Sequence, residues 1–118
     1  MHRFKDKSAR HSYFLDEFCS SFEAKKQDVG LEALLREPEF FKSDGGLYSM
    51  CDVVALYDGG FAELYELKAS VKGVGKALKQ LRSGLYLVSS RLDRSVVGAD
   101  VVFYGSDGFS FKDVYHKL

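Results

Sequence analysis

The chain contains little cysteine and no long apolar run. Its only cysteines are Cys19 and Cys51, and neither belongs to a CxxC or Cys/His spacing of the kind that binds zinc. Both lie within apolar stretches, which favours two buried free thiols in a reducing compartment. No segment approaches the length of a membrane span, and no apolar region follows the basic start as it would in a secretion signal. We therefore expect a soluble, cytoplasmic protein with no membrane contact.

An excess of charge of either sign is also lacking. The chain has 17 basic and 17 acidic residues, so its net charge gives no reason to expect affinity for nucleic acid. The distribution is less even, because the segment from Lys68 to Arg91 carries six bases and no acid. The length of 118 residues, with 46% hydrophobic and 14% aromatic residues, predicts one compact domain over residues 1–118.

Apolar residues recur with helical period in two long segments. A first amphipathic helix is predicted from Ser8 to about Lys26 and another from about Val74 to Val88. A short helical stretch is predicted over Leu31 to Glu37, ended by Pro38, with an extended piece at Phe40-Phe41.

Strands are predicted where β-branched and aromatic residues cluster. Cys51 to Tyr57 and Phe61 to Ala69 flank the turn sequence Asp58-Gly59-Gly60, which predicts a β-hairpin. Gly98 to Tyr104 is a further strand, and Phe109 to Phe111 begins a last one. The order of elements is therefore α, β, β, β, α, β and a short tail, which is an α/β fold.

The length of the hairpin loop decides which residues face each other. A three-residue loop with Gly60 in the left-handed conformation pairs Tyr57 with Phe61, and therefore Asp52 with Glu66. A two-residue loop would turn Asp52 to the opposite face of the sheet. We expect the three-residue loop.

Polar residues at one end of this hairpin suggest hydrolytic chemistry. Glu66 and Lys68 share a sheet face because they are two residues apart. Paired carboxylates suit Mg²⁺ or Mn²⁺, which can polarise a phosphodiester and lower the pKa of a bound water, while the lysine offsets charge on the phosphate. An E-x-K triplet alone more often marks an exposed strand face. Here Asp52 at the start of an apolar strand and the basic helix that follows favour a site.

These residues resemble the pattern of the PD-(D/E)XK nuclease superfamily: an acid on one strand, then E-x-K on its antiparallel neighbour. Cys51 stands where that family often has proline. The resemblance implies a restriction-endonuclease-like αβββαβ core, with a central mixed sheet flanked by helices, and metal-dependent cleavage of DNA. It further implies that Asp52, Glu66 and the backbone carbonyl of Leu67 bind Mg²⁺ or Mn²⁺, and that Lys68 positions the attacking water.

The resemblance extends to residues outside the hairpin. Gln80 is similar to a glutamine that turns toward the active site in RecB-like branches, whereas Tyr86 does not have the usual spacing from it. Many members add an acid from the first helix, for which Glu17 is the candidate and Glu23 the next, although an ordinary solvated acid is the commoner case for each. His11 shares the angle of the apolar stripe, and a core or capping histidine is the favoured interpretation.

Three lysines of the segment after the E-x-K triplet, Lys72, Lys76 and Lys79, match a surface for the nucleic-acid backbone. A solvated helix face explains them equally well. The glycines before Lys76 lack the other residues of a Walker motif, so no nucleotide cofactor is expected.

Three functions are consistent with the sequence. The first is a Mg²⁺-dependent DNA endonuclease acting as a homodimer, with branched or otherwise structured DNA as the expected substrate. The second is a catalytically inactive nuclease-like fold that binds nucleic acid or a protein partner. The third is a plain α/β interaction module in which Asp52, Glu66 and Lys68 are only a solvated edge, which would be favoured if Asp52 and Glu66 lay on opposite faces of the sheet.

Overall fold

A computed structural model describes residues 6–26 and 29–118 of the chain. It is an α/β structure in which a five-stranded mixed sheet is flanked by helices. The elements are α1 (Lys7–Lys26), β1 (Leu31–Arg36), β2 (Val53–Tyr57), β3 (Phe61–Lys68), a 3₁₀ turn (Val71–Gly73), α2 (Val74–Arg91), β4 (Ser95–Gly105), β5 (Gly108–Asp113) and a second 3₁₀ turn (Tyr115–Lys117).

The strands lie in the sheet in chain order, β1-β2-β3-β4-β5. Neighbouring strands are antiparallel except β3 and β4, which are parallel. A parallel pair needs a long crossover connection, and α2 supplies it. The ends of β3 and β4 therefore point the same way, with β2 beginning beside the end of β3.

The two helices cover opposite faces of the sheet. Side chains alternate along each strand, so Val54 and Leu64 pack with α2 while Val53 and Leu67 pack with α1. The apolar stripe of α1, which includes Leu15, Phe18 and Phe22, is buried as its periodicity predicts.

Helix α2 approaches the sheet closely at a glycine. A Cβ at Gly84 would lie 3.0 Å from the Sγ of Cys51 and 3.3 Å from the Cδ1 of Leu64, tighter than ordinary contact. The helix can therefore lie flat on β2 and β3 only because this position has no side chain.

The prediction of a helix over Leu31 to Glu37 is wrong. Residues Leu31–Arg36 form the edge strand β1, antiparallel to β2, with Leu34 opposite Ala55 and Arg36 opposite Val53. Leucine, alanine, glutamate and arginine are good helix formers, but the exposed edge of β2 offers a full ladder of backbone hydrogen bonds and overrides that weak preference.

The remaining predicted elements are confirmed with shifted ends. Helix α2 continues three residues beyond Val88, and β4 begins three residues before Gly98. The extended piece at Phe40-Phe41 amounts to a single bridge between Phe41 and Leu47. No helix within the described ranges is long and apolar enough to cross a membrane.

The hairpin has the predicted three-residue loop. Tyr57 pairs with Phe61 and Val53 with Tyr65. Gly60 has a φ of 85° and Gly59 a φ of 88°, so both glycines occupy the left-handed region that other residues avoid. The register therefore continues to Asp52 and Glu66 on the same side of the hairpin.

Candidate functional site

The two acids of the hairpin lie side by side where β2 begins and β3 ends. The backbone N–H of Asp52 donates a hydrogen bond to Oε1 of Glu66 over 2.9 Å. The backbone N–H of Leu67 donates to Oδ2 of Asp52 over 2.8 Å. Each carboxylate is thus held by the backbone of the other strand. The arrangement that would make these residues a mere solvated edge, with the acids on opposite faces, is not found.

Glu66 is almost completely removed from water, with 2% of its surface exposed. Its Oε2 lies 3.2 Å from Nζ of Lys68. Burial raises the pKa of Glu66 to about 8, and the charge of Asp52 adds to this while Lys68 opposes it. A buried carboxylate next to a second carboxylate favours binding of a cation. The single positive charge of Lys68 balances only one of the two negative charges.

A glycine after the E-x-K triplet gives the lysine its position. Gly73 lies against the aliphatic stem of Lys68, and a Cβ there would be 2.8 Å from its Cδ. The 3₁₀ turn can therefore pass close to β3, and the ammonium group of Lys68 extends toward Glu66.

His11 belongs to the site, contrary to the preferred interpretation of it as a core or capping residue. Its Nε2 lies 3.0 Å from Oδ2 of Asp52, and its ring meets Tyr104 edge-on at 6.0 Å. The hydrogen bond to Asp52 raises the pKa of His11, while partial burial opposes the shift. The available signal was its place on the same stripe as the buried phenylalanines, one turn nearer the start of α1.

Glu37 is a third acid near the site that the sequence did not indicate. Its backbone N–H donates to the carbonyl oxygen of Asp52 over 2.7 Å, and its φ of 47° is in the left-handed region. Its charge contributes to the raised pKa of His11. Nothing in the sequence marks a glutamate for this conformation, so only the structure could reveal it.

Two clefts lie beside the site, and Glu37 lines both. One, of about 590 Å³, is also lined by Tyr48, Asp52 and Gln80. The other, of about 480 Å³, is lined by His11, Lys68, Lys76 and Tyr104 among others. Asp52 therefore faces the first cleft and Lys68 the second, whereas Glu66 lines neither.

Gln80 reaches the first cleft from α2. Its Nε2 lies 3.5 Å from the carbonyl oxygen of Met50, a long hydrogen bond. Its Oε1 is buried and receives no hydrogen bond from the described residues. The side chain therefore holds one unused acceptor beside the segment that leads into Asp52.

The other predicted residues lie further out. Glu17 and Glu23 are exposed on α1, about 9 and 18 Å along the helix from His11, and within the described chain neither contacts the acid pair. Lys72 and Lys79 are exposed as well. Of the three lysines, Lys76 alone lines a cleft at the site.

The donor atoms present at the site are suited to a hard cation. Among residues 6–26 and 29–118 no group of three or more His, Cys, Asp or Glu side chains is arranged to hold a metal ion. Two carboxylates, those of Asp52 and Glu66, do lie together there. Such a partial oxygen set suits Mg²⁺, which usually keeps several waters and takes further oxygens from a phosphate substrate. Comparison of the chain with protein-family models, curated proteins and solved structures finds no match.

Proposed function

We propose that the protein is a metal-dependent DNA endonuclease of the PD-(D/E)XK type, with a restriction-endonuclease-like core, that hydrolyses phosphodiester bonds. The observation that carries the proposal is the buried Glu66, hydrogen-bonded to the backbone of Asp52, which lines one cleft, and ion-paired with Lys68, which lines the other. A buried acid of this kind costs stability, and such costs are concentrated at functional sites.

The carboxylates of Asp52 and Glu66, with the carbonyl of Leu67, would hold Mg²⁺ or Mn²⁺. When bound, the ion would polarise the phosphodiester and lower the pKa of a water. Lys68 would position the attacking water and offset charge on the phosphate, because its ammonium group lies at the edge of the acid pair. His11 would orient Asp52 through its hydrogen bond.

Basic residues around the site would bind the DNA backbone. Lys76 lines the same cleft as Lys68, and Lys72 and Lys79 extend this charge along the segment after β3. Gln80 would lie beside the substrate in the other cleft, which it lines. The protein would act as a homodimer, because one small domain spans little of a duplex, with branched or structured DNA as substrate.

The test is incubation of the protein with linear, nicked, flapped and four-way DNA in Mg²⁺, Mn²⁺ or EDTA. Glu66→Gln and Lys68→Met should each lower metal-dependent cleavage by about 10²-fold or more, since the first removes a ligand of the ion and the second a charge that faces the phosphate. The matched controls are Glu32→Gln and Lys112→Met, which change exposed residues outside the site. If both site variants cleave DNA at the rate of the wild type, the proposal is contradicted. Elution as a monomer in size-exclusion chromatography would contradict the homodimer.

A second candidate is a nuclease-like fold that binds nucleic acid without cutting it. It is favoured by the number of internal partners at the site, because Oδ2 of Asp52 and both oxygens of Glu66 already receive hydrogen bonds or an ion pair from the chain itself. It predicts salt-sensitive binding that needs no Mg²⁺, with no cleavage in any metal. Filter binding in EDTA, beside the cleavage panel, separates the two.

A further inference from the structure

A separate cavity lies on the α1 face of the sheet, toward the end of the helix remote from His11. Its volume is about 420 Å³, within the range of small-molecule sites. Five aromatic rings form its walls, namely Phe18 and Phe22 of α1, Tyr65 of β3, and Phe109 and Phe111 of β5. None of its lining residues lines either cleft beside the acid pair, so the cavity is distinct from the candidate functional site.

The rings surround the cavity rather than filling it. Phe18 lies 5.4 Å from Tyr65 and 5.6 Å from Phe109, and Tyr65 is perpendicular to Phe111 at 6.4 Å. Phe111 remains 55% exposed at the outer wall. The electron-rich faces of such rings attract positive charge.

Two carboxylates also line the cavity, Glu63 of β3 and Asp100 of β4. Oε1 of Glu63 accepts hydrogen bonds from the hydroxyl groups of Tyr57 and Tyr65. Asp100 is opposite Asp113 in the β4–β5 pair. Neither Glu63 nor Asp100 forms an ion pair with a cation of the described residues, so both carboxylates are available to a cationic ligand.

We infer that this cavity binds a small organic cation, with a quaternary ammonium or guanidinium head on an apolar body. The head would lie between Glu63 and Asp100 and against the faces of the outer rings, and the rings would also enclose the apolar part. An anion would be repelled by the carboxylates, and a neutral apolar ligand would cover them without compensating their charge. A bare metal ion finds too few oxygen ligands, because no three-ligand group occurs in the described residues.

The rim carries one competing charge. Lys25 of α1 lines the cavity, its side chain is exposed, and it forms no ion pair with the described residues. Its ammonium group would repel a cationic ligand or compete for the same carboxylates. Replacing it by a neutral residue should therefore strengthen binding.

The probes are choline and methylguanidine, one for each kind of head, compared by calorimetry and NMR titration of the full chain. The neutral control is 3,3-dimethylbutan-1-ol, which has the shape of choline without its charge. We expect at least one cation to bind and to shift the ring signals of Phe109 and Phe111. The neutral alcohol should bind about tenfold more weakly or not at all, a difference of about 1.4 kcal/mol.

Variants identify the residues responsible. Asp100→Asn should weaken cation binding about tenfold, and Phe111→Leu severalfold, because each removes a favourable interaction with the head. Lys25→Gln should strengthen it, and Asp107→Asn, in the exposed β4–β5 turn, should leave it unchanged. The inference is overturned if neither cation binds the wild type or Lys25→Gln, if the alcohol binds as well as choline, or if Asp100→Asn binds like the wild type.

Discussion

Replacing Glu66 by glutamine should stabilise the fold in a manner that depends on pH. Glutamine keeps the size of the side chain and an acceptor for the N–H of Asp52, but it cannot ionise. The pKa of Glu66 is raised from 4.5 to about 8, so the unfolded chain loses this proton at lower pH than the folded chain does. Between these two values the folded protein binds more protons, and its stability falls as pH rises.

The size of the effect follows from the two pKa values. A difference of about 3.5 units, at about 1.36 kcal/mol each, sets an upper limit of about 5 kcal/mol. Local relaxation around the charge reduces this, so we expect Glu66→Gln to be more stable than the wild type by about 2–4 kcal/mol at about pH 9. At about pH 4.5 the two proteins should differ by less than about 1 kcal/mol, because Glu66 is then protonated in the folded state.

Urea unfolding at a series of pH values in EDTA measures this difference directly. Glu17→Gln is the matched control, because Glu17 is exposed, and its variant should follow the wild type at every pH. Millimolar Mg²⁺ should recover much of the lost stability of the wild type at high pH and none for Glu66→Gln, if the ion binds at Glu66. A constant difference between wild type and Glu66→Gln across the pH range would refute the reasoning.

Three further predictions concern the turn, the helix contact and the histidine. Gly60→Ala should destabilise the fold by about 1–2 kcal/mol in thermal unfolding, because its φ of 85° is unfavourable for any residue with a Cβ; no loss of stability would contradict this. Gly84→Ala should lower the free energy of unfolding by about 1–3 kcal/mol through overpacking against the sheet. Gly75→Ala in the same helix, with open space around it, should be neutral or stabilising by up to about 1 kcal/mol. Equal effects of the two substitutions would show that α2 can move away from the sheet and would contradict this prediction. Asp52→Asn should lower the pKa of His11 toward 6.5 in an NMR titration, and an unchanged pKa would refute the pairing. The stabilisation from this pair is complete below about 6.5 and is lost as pH rises through the higher pKa of folded His11.

The hairpin and its acids could be predicted because their determinants are local. Two adjacent glycines fix the loop, and the two-residue period of the strands then carries the pairing of Tyr57 and Phe61 up to Asp52 and Glu66. Helix α2 could be predicted for the same reason, since its buried leucines recur along one segment of chain.

The parts that could not be predicted depend on distant partners. Leu31–Arg36 becomes a strand only because β2 has a free edge for it. His11 reaches Asp52, 41 residues away, only because α1 crosses the sheet with its first turns over the acids. Glu37 enters the site through a backbone conformation that is unusual for a glutamate. Periodicity within a single sequence places His11 on the apolar stripe of α1, but it does not show which distant residues these segments contact.

The local closure of the hairpin also has a consequence for the order of events in folding. Asp52 and Glu66 are 14 residues apart, and a hairpin of this size closes within about 1–10 μs. At that stage water still surrounds both carboxylates, so their mutual repulsion costs little. The parallel pairing of β3 with β4 must wait for α2 to cross, and dehydration of Glu66 comes only when the helices dock. Raising the pH from about 4.5 to about 8 should therefore slow this late docking step, with little further change above about 8, and leave formation of the hairpin almost unaffected.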